Sequence, residues 1–195
     1  MKLLIMAGFL GSGKTTLLLQ IAKRLSAASL KIAIIENEIG EIGVDGDYLN
    51  REELHVQELF GGCICCTLST GLIETLEKIE LHYQPDLVIL EATGVARPGD
   101  ILTNVNKYQP KVESIKILTL VDAFRFEMLM EVIEPLLTAQ IEAAHTVVVN
   151  KIDQVQEKTL EHVTHSIECL NPEAKISTVS AEVGTNLNSF LDDLS

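Results

Sequence analysis

The segment Leu3-Leu4-Ile5-Met6-Ala7-Gly8-Phe9-Leu10-Gly11-Ser12-Gly13-Lys14-Thr15 begins with five apolar residues and closes on a lysine and a threonine interleaved with three glycines. Leu3 to Ala7 does not alternate with polar residues, so it reads as a strand covered on both faces. Lys14 to Ala28 then places Leu17, Leu18, Ile21, Ala22 and Leu25 at helical spacing. Between strand and helix, Gly8 to Thr15 satisfies GxxxxGK(S/T). In that pattern glycines let consecutive backbone N–H groups converge on phosphate, and the helix N-terminus adds partial positive charge. The plainer alternative is a glycine-rich turn, which would require strand, motif and helix to coincide by accident. The motif predicts that Gly11, Ser12, Gly13, Lys14, Thr15 and Thr16 hold nucleotide phosphates. Lys14 would reach the β- and γ-phosphates and the Thr15 hydroxyl would bind Mg2+.

The same strand-then-helix alternation recurs along the chain. Lys31 to Ile35, Asp86 to Leu90, Ile115 to Val121 and Thr146 to Val149 are apolar runs, and Ile176 to Val179 is a candidate last strand. Helical patterns fall at Ser69 to His82, Gly99 to Tyr108, Glu134 to Ala144, Glu157 to Leu170 and Thr185 to Leu194. Residues 37 to 62 are polar, carry Gly40, Gly43, Gly46, Gly61 and Gly62, and read as one long excursion between core elements. The expected class is α/β, an open, doubly wound, mostly parallel sheet of the P-loop NTPase kind. One domain over residues 1–195, with no second C-terminal domain, is the expected organisation.

Composition narrows the partners. The 195 residues are 47% hydrophobic, enough for one sizeable core. Asp and Glu number 28 against 15 Lys and Arg, a net charge of −13 that repels phosphate backbones and anionic lipid. Neither nucleic acid nor membrane is an expected partner. No apolar run reaches the roughly 18 residues that span a bilayer, and nothing resembles a signal peptide, so the expected location is cytoplasmic. Four cysteines, three of them within residues 63–66, fit a reducing compartment and a thiolate site better than a disulfide framework.

Two later segments point to the base. Asn150-Lys151-Ile152-Asp153 follows an apolar run and so projects from the carboxyl edge of the sheet, where ligands of this architecture bind. Asp153 can accept two hydrogen bonds from the N1–H and amino group of guanine, a donor pair adenine lacks, which selects GTP over ATP. A helix-leading turn with Asp153 near its N-cap is the plainer alternative. Ser180-Ala181, after the last strand, stands where a backbone amide would meet the guanine O6. On the phosphate side, Glu91 ends the run DLVIL and is the expected acid beside Mg2+, while Gly94 would offer its N–H to the γ-phosphate. Asp122 is a lesser candidate for that acid. Arg97 is a candidate to neutralise transition-state charge, although a solvated arginine is the commoner case.

GFLGSGKTT, IENEIGE, GGCICC, LEATG, NKID and VSAEVGTNL, in that order, make the chain similar to the CobW-type P-loop GTPases, relatives of the nickel-insertion GTPases of hydrogenase and urease maturation. The likeness runs from Leu3 to about Phe190. It implies a metallochaperone-type GTPase that couples nucleotide state to the binding or delivery of a transition metal. A client metalloprotein or cofactor-pathway enzyme would be the recipient, and a nucleotide- or metal-dependent homodimer is compatible with it. Full-length members usually carry a second, C-terminal domain and often a histidine-rich stretch.

The cysteines also speak for themselves. In Cys63-Ile64-Cys65-Cys66, positions i and i+2 of an extended segment point the same way, so Cys63 and Cys65 could face one ion while Cys66 faces the other side. Thiolate softness favours Zn2+, with Co2+ or Ni2+ as possibilities, and an incomplete shell suits an ion that must be released. Glu36 and Glu41 are the natural oxygen donors, and the resemblance places the metal site on such glutamates together with the CxCC, with Cys65 the preferred sulfur. A buried structural cysteine group and a redox-active thiol pair remain the alternatives. Cys169, alone on a helix, is expected in the core. His162 and His165 are one helical turn apart but are expected to be solvated. No glutamine stands out as a water-positioner, so hydrolysis is expected to be slow and to be stimulated by metal or a partner. Three other readings are open: an ATP-dependent small-molecule kinase, a nonenzymatic metal buffer or thiol sensor that uses the cysteines alone, and, within the GTPase class, an accessory GTPase for a corrinoid or other metalloenzyme.

Overall fold

The computed structural model describes residues 1–36, 56–60, 70–108 and 111–194. Its strands are β1 Lys2–Gly8, β2 Ile32–Glu36, β3 Val56–Phe60, β4 Leu87–Glu91, β5 Ser114–Asp122, β6 Thr146–Asn150 and β7 Lys175–Thr178. Its helices are α1 Lys14–Ala27, α2 Thr70–His82, α3 Pro98–Tyr108, α4 Phe126–Glu142, α5 Glu157–Leu170 and α6 Leu187–Leu194, with a 3-10 turn at Ile152–Gln154. The strands form one sheet of order β3-β2-β4-β1-β5-β6-β7. Every pairing among the described residues is parallel.

Alternate residues of each strand leave opposite faces of the sheet, and both faces are covered. Leu3 and Ile5 of β1 join a core with Leu72, Leu76 and Ile79 of α2, Ile101 and Val105 of α3, Phe126, Leu137 and Ile141 of α4, and Val163 and Ile167 of α5. Leu4 and Met6 turn the other way, onto Leu17, Leu18 and Ile21 of α1 and Phe190 and Leu191 of α6. Continuous apolar strands therefore follow from the double covering. From β1 the chain passes to β2 and out to β3, returns to insert β4 between β2 and β1, and then runs outward on the other side through β5, β6 and β7. The reversal beside β1 leaves a crevice at the carboxyl ends of the strands, the place where such sheets bind ligands.

Three expectations need correction. Residues 37 to 62 are not wholly an excursion, because Val56–Phe60 pairs with β2 as the outermost strand. The helix expected to start at Glu134 starts at Phe126. Ile133 has non-helical dihedrals (φ −134°, ψ 30°) and Pro135 follows it, so α4 is two helical pieces joined at a kink. Cys169 is exposed rather than buried. The buried face of α5 carries Val163 and Ile167, and Cys169 is two residues beyond Ile167, turned well away from that face.

Candidate functional site

The loop between β1 and α1 is held open by glycine backbone. Gly13 precedes α1 in the left-handed region (φ 97°, ψ 23°), and a Cβ there would lie 2.4 Å from Asn150 Nδ2. Only glycine combines that φ with that approach. Lys14 is 7% exposed, and its Nζ donates to the Gly8 carbonyl at 3.1 Å, which folds the ammonium back over the loop. Thr15 Oγ1 sits 3.1 and 3.3 Å from the two carboxylate oxygens of Glu91. A hydroxyl and a carboxylate converging at the mouth of a phosphate loop are the hard oxygen donors that Mg2+ takes, so the residues present fit that ion.

Asn150 joins three loops. Buried at 3% exposure, it donates from Nδ2 to the Ser12 carbonyl at 2.8 Å and accepts the Ala181 N–H on Oδ1 at 3.0 Å. The phosphate loop, the NKID segment and the Ser180-Ala181 turn are thereby fixed to one carboxamide. The Ala181 N–H is directed at Asn150, so its part in the site runs through that side chain. Ser180 is buried, and its Oγ accepts the Val183 N–H at 3.2 Å, which tightens the turn. Lys151 stands at a positive φ of 64°, and Asp153 lies exposed in the 3-10 turn.

Asp122, at the end of β5, does not reach Thr15. Its Oδ2 accepts Arg125 Nε at 2.7 Å and lies 2.8 Å from Lys151 Nζ, while Oδ1 accepts the N–H groups of Phe124 and Arg125 at 3.0 and 3.2 Å. Burial pulls the Asp122 pKa up, but the hydrogen bonds from Lys151 and Arg125 and the Lys151 charge outweigh it and hold the group below the ordinary Asp value. Arg125 also donates from Nη2 to the Leu10 carbonyl at 2.7 Å. Asp122 thus ties Lys151 to the Phe124–Arg125 turn and, through Arg125, to the Leu10 carbonyl. Arg97 is exposed, and the arginine that touches the phosphate loop is Arg125. Sequence reasoning passed over it because a lone arginine after a strand carries no spacing signal.

Beyond Glu91, the Ala96 N–H donates to the Thr93 carbonyl at 3.0 Å and closes a turn over Thr93 to Ala96. This turn abuts the phosphate loop so closely that a Cβ on Gly94 would lie 2.7 Å from Leu10 N. From α4, Gln140 Nε2 donates to the Gly94 and Ala96 carbonyls at 3.1 and 2.9 Å.

Glu36 ends β2 at half-burial, on the same rung as Glu91 of β4. Adjacent strands are about 4.8 Å apart. The other expected metal ligands, Glu41, Cys63, Cys65 and Cys66, lie outside the described residues. Among the described residues no three His, Cys, Asp or Glu side chains are grouped to hold a metal. His162 Nε2 lies 2.8 Å from Glu127 Oε1, and Cys169 Sγ lies 3.8 Å from His165 Nε2 at the surface. No described helix is long and apolar enough to cross a membrane.

Residues 2–178 match the CobW/HypB/UreG nucleotide-binding-domain family. The chain is 32% identical, over 84% of its length, to a Sinorhizobium protein named zinc chaperone CobW, covering 54% of that protein. It is 30% identical, over 90% of its length, to the Escherichia coli zinc chaperone YjiA, covering 56% of it. The chain therefore spans about half the length of these curated relatives. Among solved structures, the Zn(II)-bound YjiA GTPase from E. coli is 26% identical with a TM-score of 0.65, covering 92% of this chain and 57% of that one. The hydrogenase maturation factor HypB from Archaeoglobus fulgidus, at 19% identity, has a TM-score of 0.69, covering 99% of this chain and 88% of that one, and shares the fold.

Proposed function

The chain belongs to the CobW/HypB/UreG family through its nucleotide-binding domain, and from that premise we propose that it binds and hydrolyses GTP and couples its nucleotide state to binding or delivery of a transition metal. Zn2+ is the first choice of cargo, with Co2+ or Ni2+ behind it, and a client metalloprotein or cofactor-pathway enzyme is the recipient. The observation that carries this reading is the Asn150 carboxamide, which ties the phosphate loop through Ser12 and the Ala181 turn into one pocket. That pocket has a backbone cradle at Gly11 to Thr16 for the phosphates and Asp153 for the guanine edge.

Each residue has a role in the proposal. Lys14 neutralises the β- and γ-phosphates. Thr15 Oγ1 and the Glu91 carboxylate would hold Mg2+, which neutralises charge on the phosphate oxygens. The Gly94 N–H faces the γ-phosphate, and Lys151 packs along the base while anchored to Asp122. The cargo ion would be taken by Glu36, Glu41 and the thiolates of Cys63, Cys65 and Cys66. Coupling is supported by the shared rung of Glu36 and Glu91: the carboxylate assigned to the cargo and the one assigned to the phosphate side sit on adjacent strands, so moving either strand end moves the other. Hydrolysis is slow until metal or a partner completes the site, and linkage requires metal to change nucleotide affinity by the factor that nucleotide changes metal affinity.

The test is a metal titration of the apo, GDP-bound and nonhydrolysable-GTP-bound protein, with ATP as the competing nucleotide. Zn2+ affinity should differ between the GDP and triphosphate forms, and GTP should outcompete ATP. Cys65→Ala should weaken Zn2+ while leaving GDP binding nearly intact, and Lys14→Ala the reverse. Equal Zn2+ affinity in all three forms would remove the coupling.

A further inference from the structure

Gln140 has no place in the nucleotide or metal chemistry above, yet it is fully buried (0% exposed) and every donor it has is spent on one turn. Its Nε2 serves the Gly94 and Ala96 carbonyls at 3.1 and 2.9 Å. Its own carbonyl accepts Thr119 Oγ1 at 2.8 Å, which pins this part of α4 to β5. β5 in turn pairs with β1 up to Leu120 opposite Gly8, the first residue of the phosphate loop. The turn that follows Glu91, already continuous with β4 beside β1, is thus tied a second time, through the Gln140 side chain, to the strand that runs alongside the start of the phosphate loop. The two acceptors also settle which end of the carboxamide is nitrogen. That leaves Gln140 Oε1 buried with no hydrogen-bond partner among the described residues, an arrangement that native interiors rarely keep without a reason.

We propose that Gln140 is a positioning residue for the γ-phosphate: by gripping the Gly94 and Ala96 carbonyls it fixes the Thr93 to Ala96 turn against Leu10 and so aims the Gly94 N–H. The inference rests on the reading of the site as a GTP pocket. The unpaired Oε1 is the reserve acceptor of this grip. When the γ-phosphate draws the turn inward, an N–H brought round to Gln140 finds an acceptor already buried and dry, and the triphosphate state gains a hydrogen bond that the present state lacks. GDP reaches the phosphate loop and the base-side residues but not this turn, so the side chain discriminates between the two nucleotides without touching either.

Two variants test this. Gln140→Glu keeps the shape and points an acceptor at two carbonyls, releasing the turn. Gln140→Leu removes both the grip and the orphaned oxygen but strands the Gly94 and Ala96 carbonyls, so circular dichroism first establishes that it is folded. In both, GDP affinity should stay within about twofold of wild type. The preference for a nonhydrolysable GTP analogue over GDP should fall, and single-turnover GTP hydrolysis should drop roughly 10- to 100-fold, the scale of a misplaced reacting geometry. Amide hydrogen exchange across residues 93–96 should speed up, and in the wild type alone it should slow when the GTP analogue replaces GDP. Folded Gln140→Leu with unchanged hydrolysis and unchanged GTP-to-GDP preference would overturn the proposal. A wild-type protein that neither hydrolyses GTP nor tells it from GDP would instead remove the nucleotide reading on which it rests.

Discussion

Replacing Asn150 with alanine deletes one side chain and separates three loops. Two buried hydrogen bonds go, the 2.8 Å bond to the Ser12 carbonyl and the 3.0 Å bond from the Ala181 N–H. Each would contribute about 1 kcal/mol net if both partners were lost together, but here the Ser12 carbonyl and the Ala181 N–H stay behind, and a stranded buried polar group costs about 1–3 kcal/mol. Asn150→Ala should therefore destabilise by roughly 2–5 kcal/mol. For a domain of this size that lowers the thermal midpoint by roughly 5–15 °C, read by circular dichroism without nucleotide. The space left beside Gly13 also frees the phosphate loop, so GDP should bind at least about tenfold more weakly by fluorescence titration, that is, by about 1.4 kcal/mol or more. Asn150→Asp separates the two bonds. It retains an acceptor for Ala181 and sets an anionic oxygen against the Ser12 carbonyl, so it should lose as much nucleotide affinity as alanine. A midpoint within about 2 °C of wild type and unchanged GDP affinity in Asn150→Ala would refute the bridging role.

Asp122→Asn should cost about 1–2 kcal/mol at neutral pH, since the Asx-type bonds to Phe124 and Arg125 can persist while the charge on Oδ2 is lost beside two cations that reach solvent. Because the folded pKa is lowered, this stabilisation is present above the unfolded Asp value of 3.8 and disappears as pH falls through the folded value. Denaturant midpoints of wild type and variant should accordingly converge below pH 4, and a constant gap from pH 7 to pH 3 would contradict the assignment. Glu91→Gln should abolish Mg2+-dependent GTP hydrolysis, followed by phosphate release, while GDP binding without Mg2+ stays within about threefold. Retention of full Mg2+-dependent turnover would show that Thr15 and Glu91 are not the pair that holds the ion.

The central strands are plain in the sequence because burial on both faces favours continuous apolar residues, which β1, β4 and β6 carry between their ends and β5 carries with only Lys116 and Thr119 intervening. Val56-Gln57-Glu58-Leu59-Phe60 escaped notice because an outer strand has one neighbour and does not require an apolar run. The start of α4 differs for another reason: the break at Ile133 makes the stretch from Glu134 a helical piece of its own, while Phe126 to Val132 is a second piece before it. The glycine-rich loop and Asn150 stand out in the sequence because they sit in motifs of fixed spacing, and Glu91 because it ends the run DLVIL; the structure brings Thr15 against Glu91 and Asn150 against Ser12. Asp122 could be seen only as another acid at a strand end, since its partners Arg125 and Lys151 come from separate turns. Gln140 was invisible, because what marks it is the pair of carbonyls above it, and backbone oxygens leave no trace in residue identity.

The break in α4 separates what happens at its two ends. Pro135 offers no N–H to the carbonyl of Glu131, and Ile133 leaves helical geometry, so the rod has a joint near its middle, between the end where Arg125 reaches the phosphate loop and the end that carries Gln140. A straight helix would transmit any tilt caused by a ligand at Leu10 to the far end as a stiff lever. The jointed one absorbs it, so that cradle and turn are steered by the same helix yet remain separately adjustable.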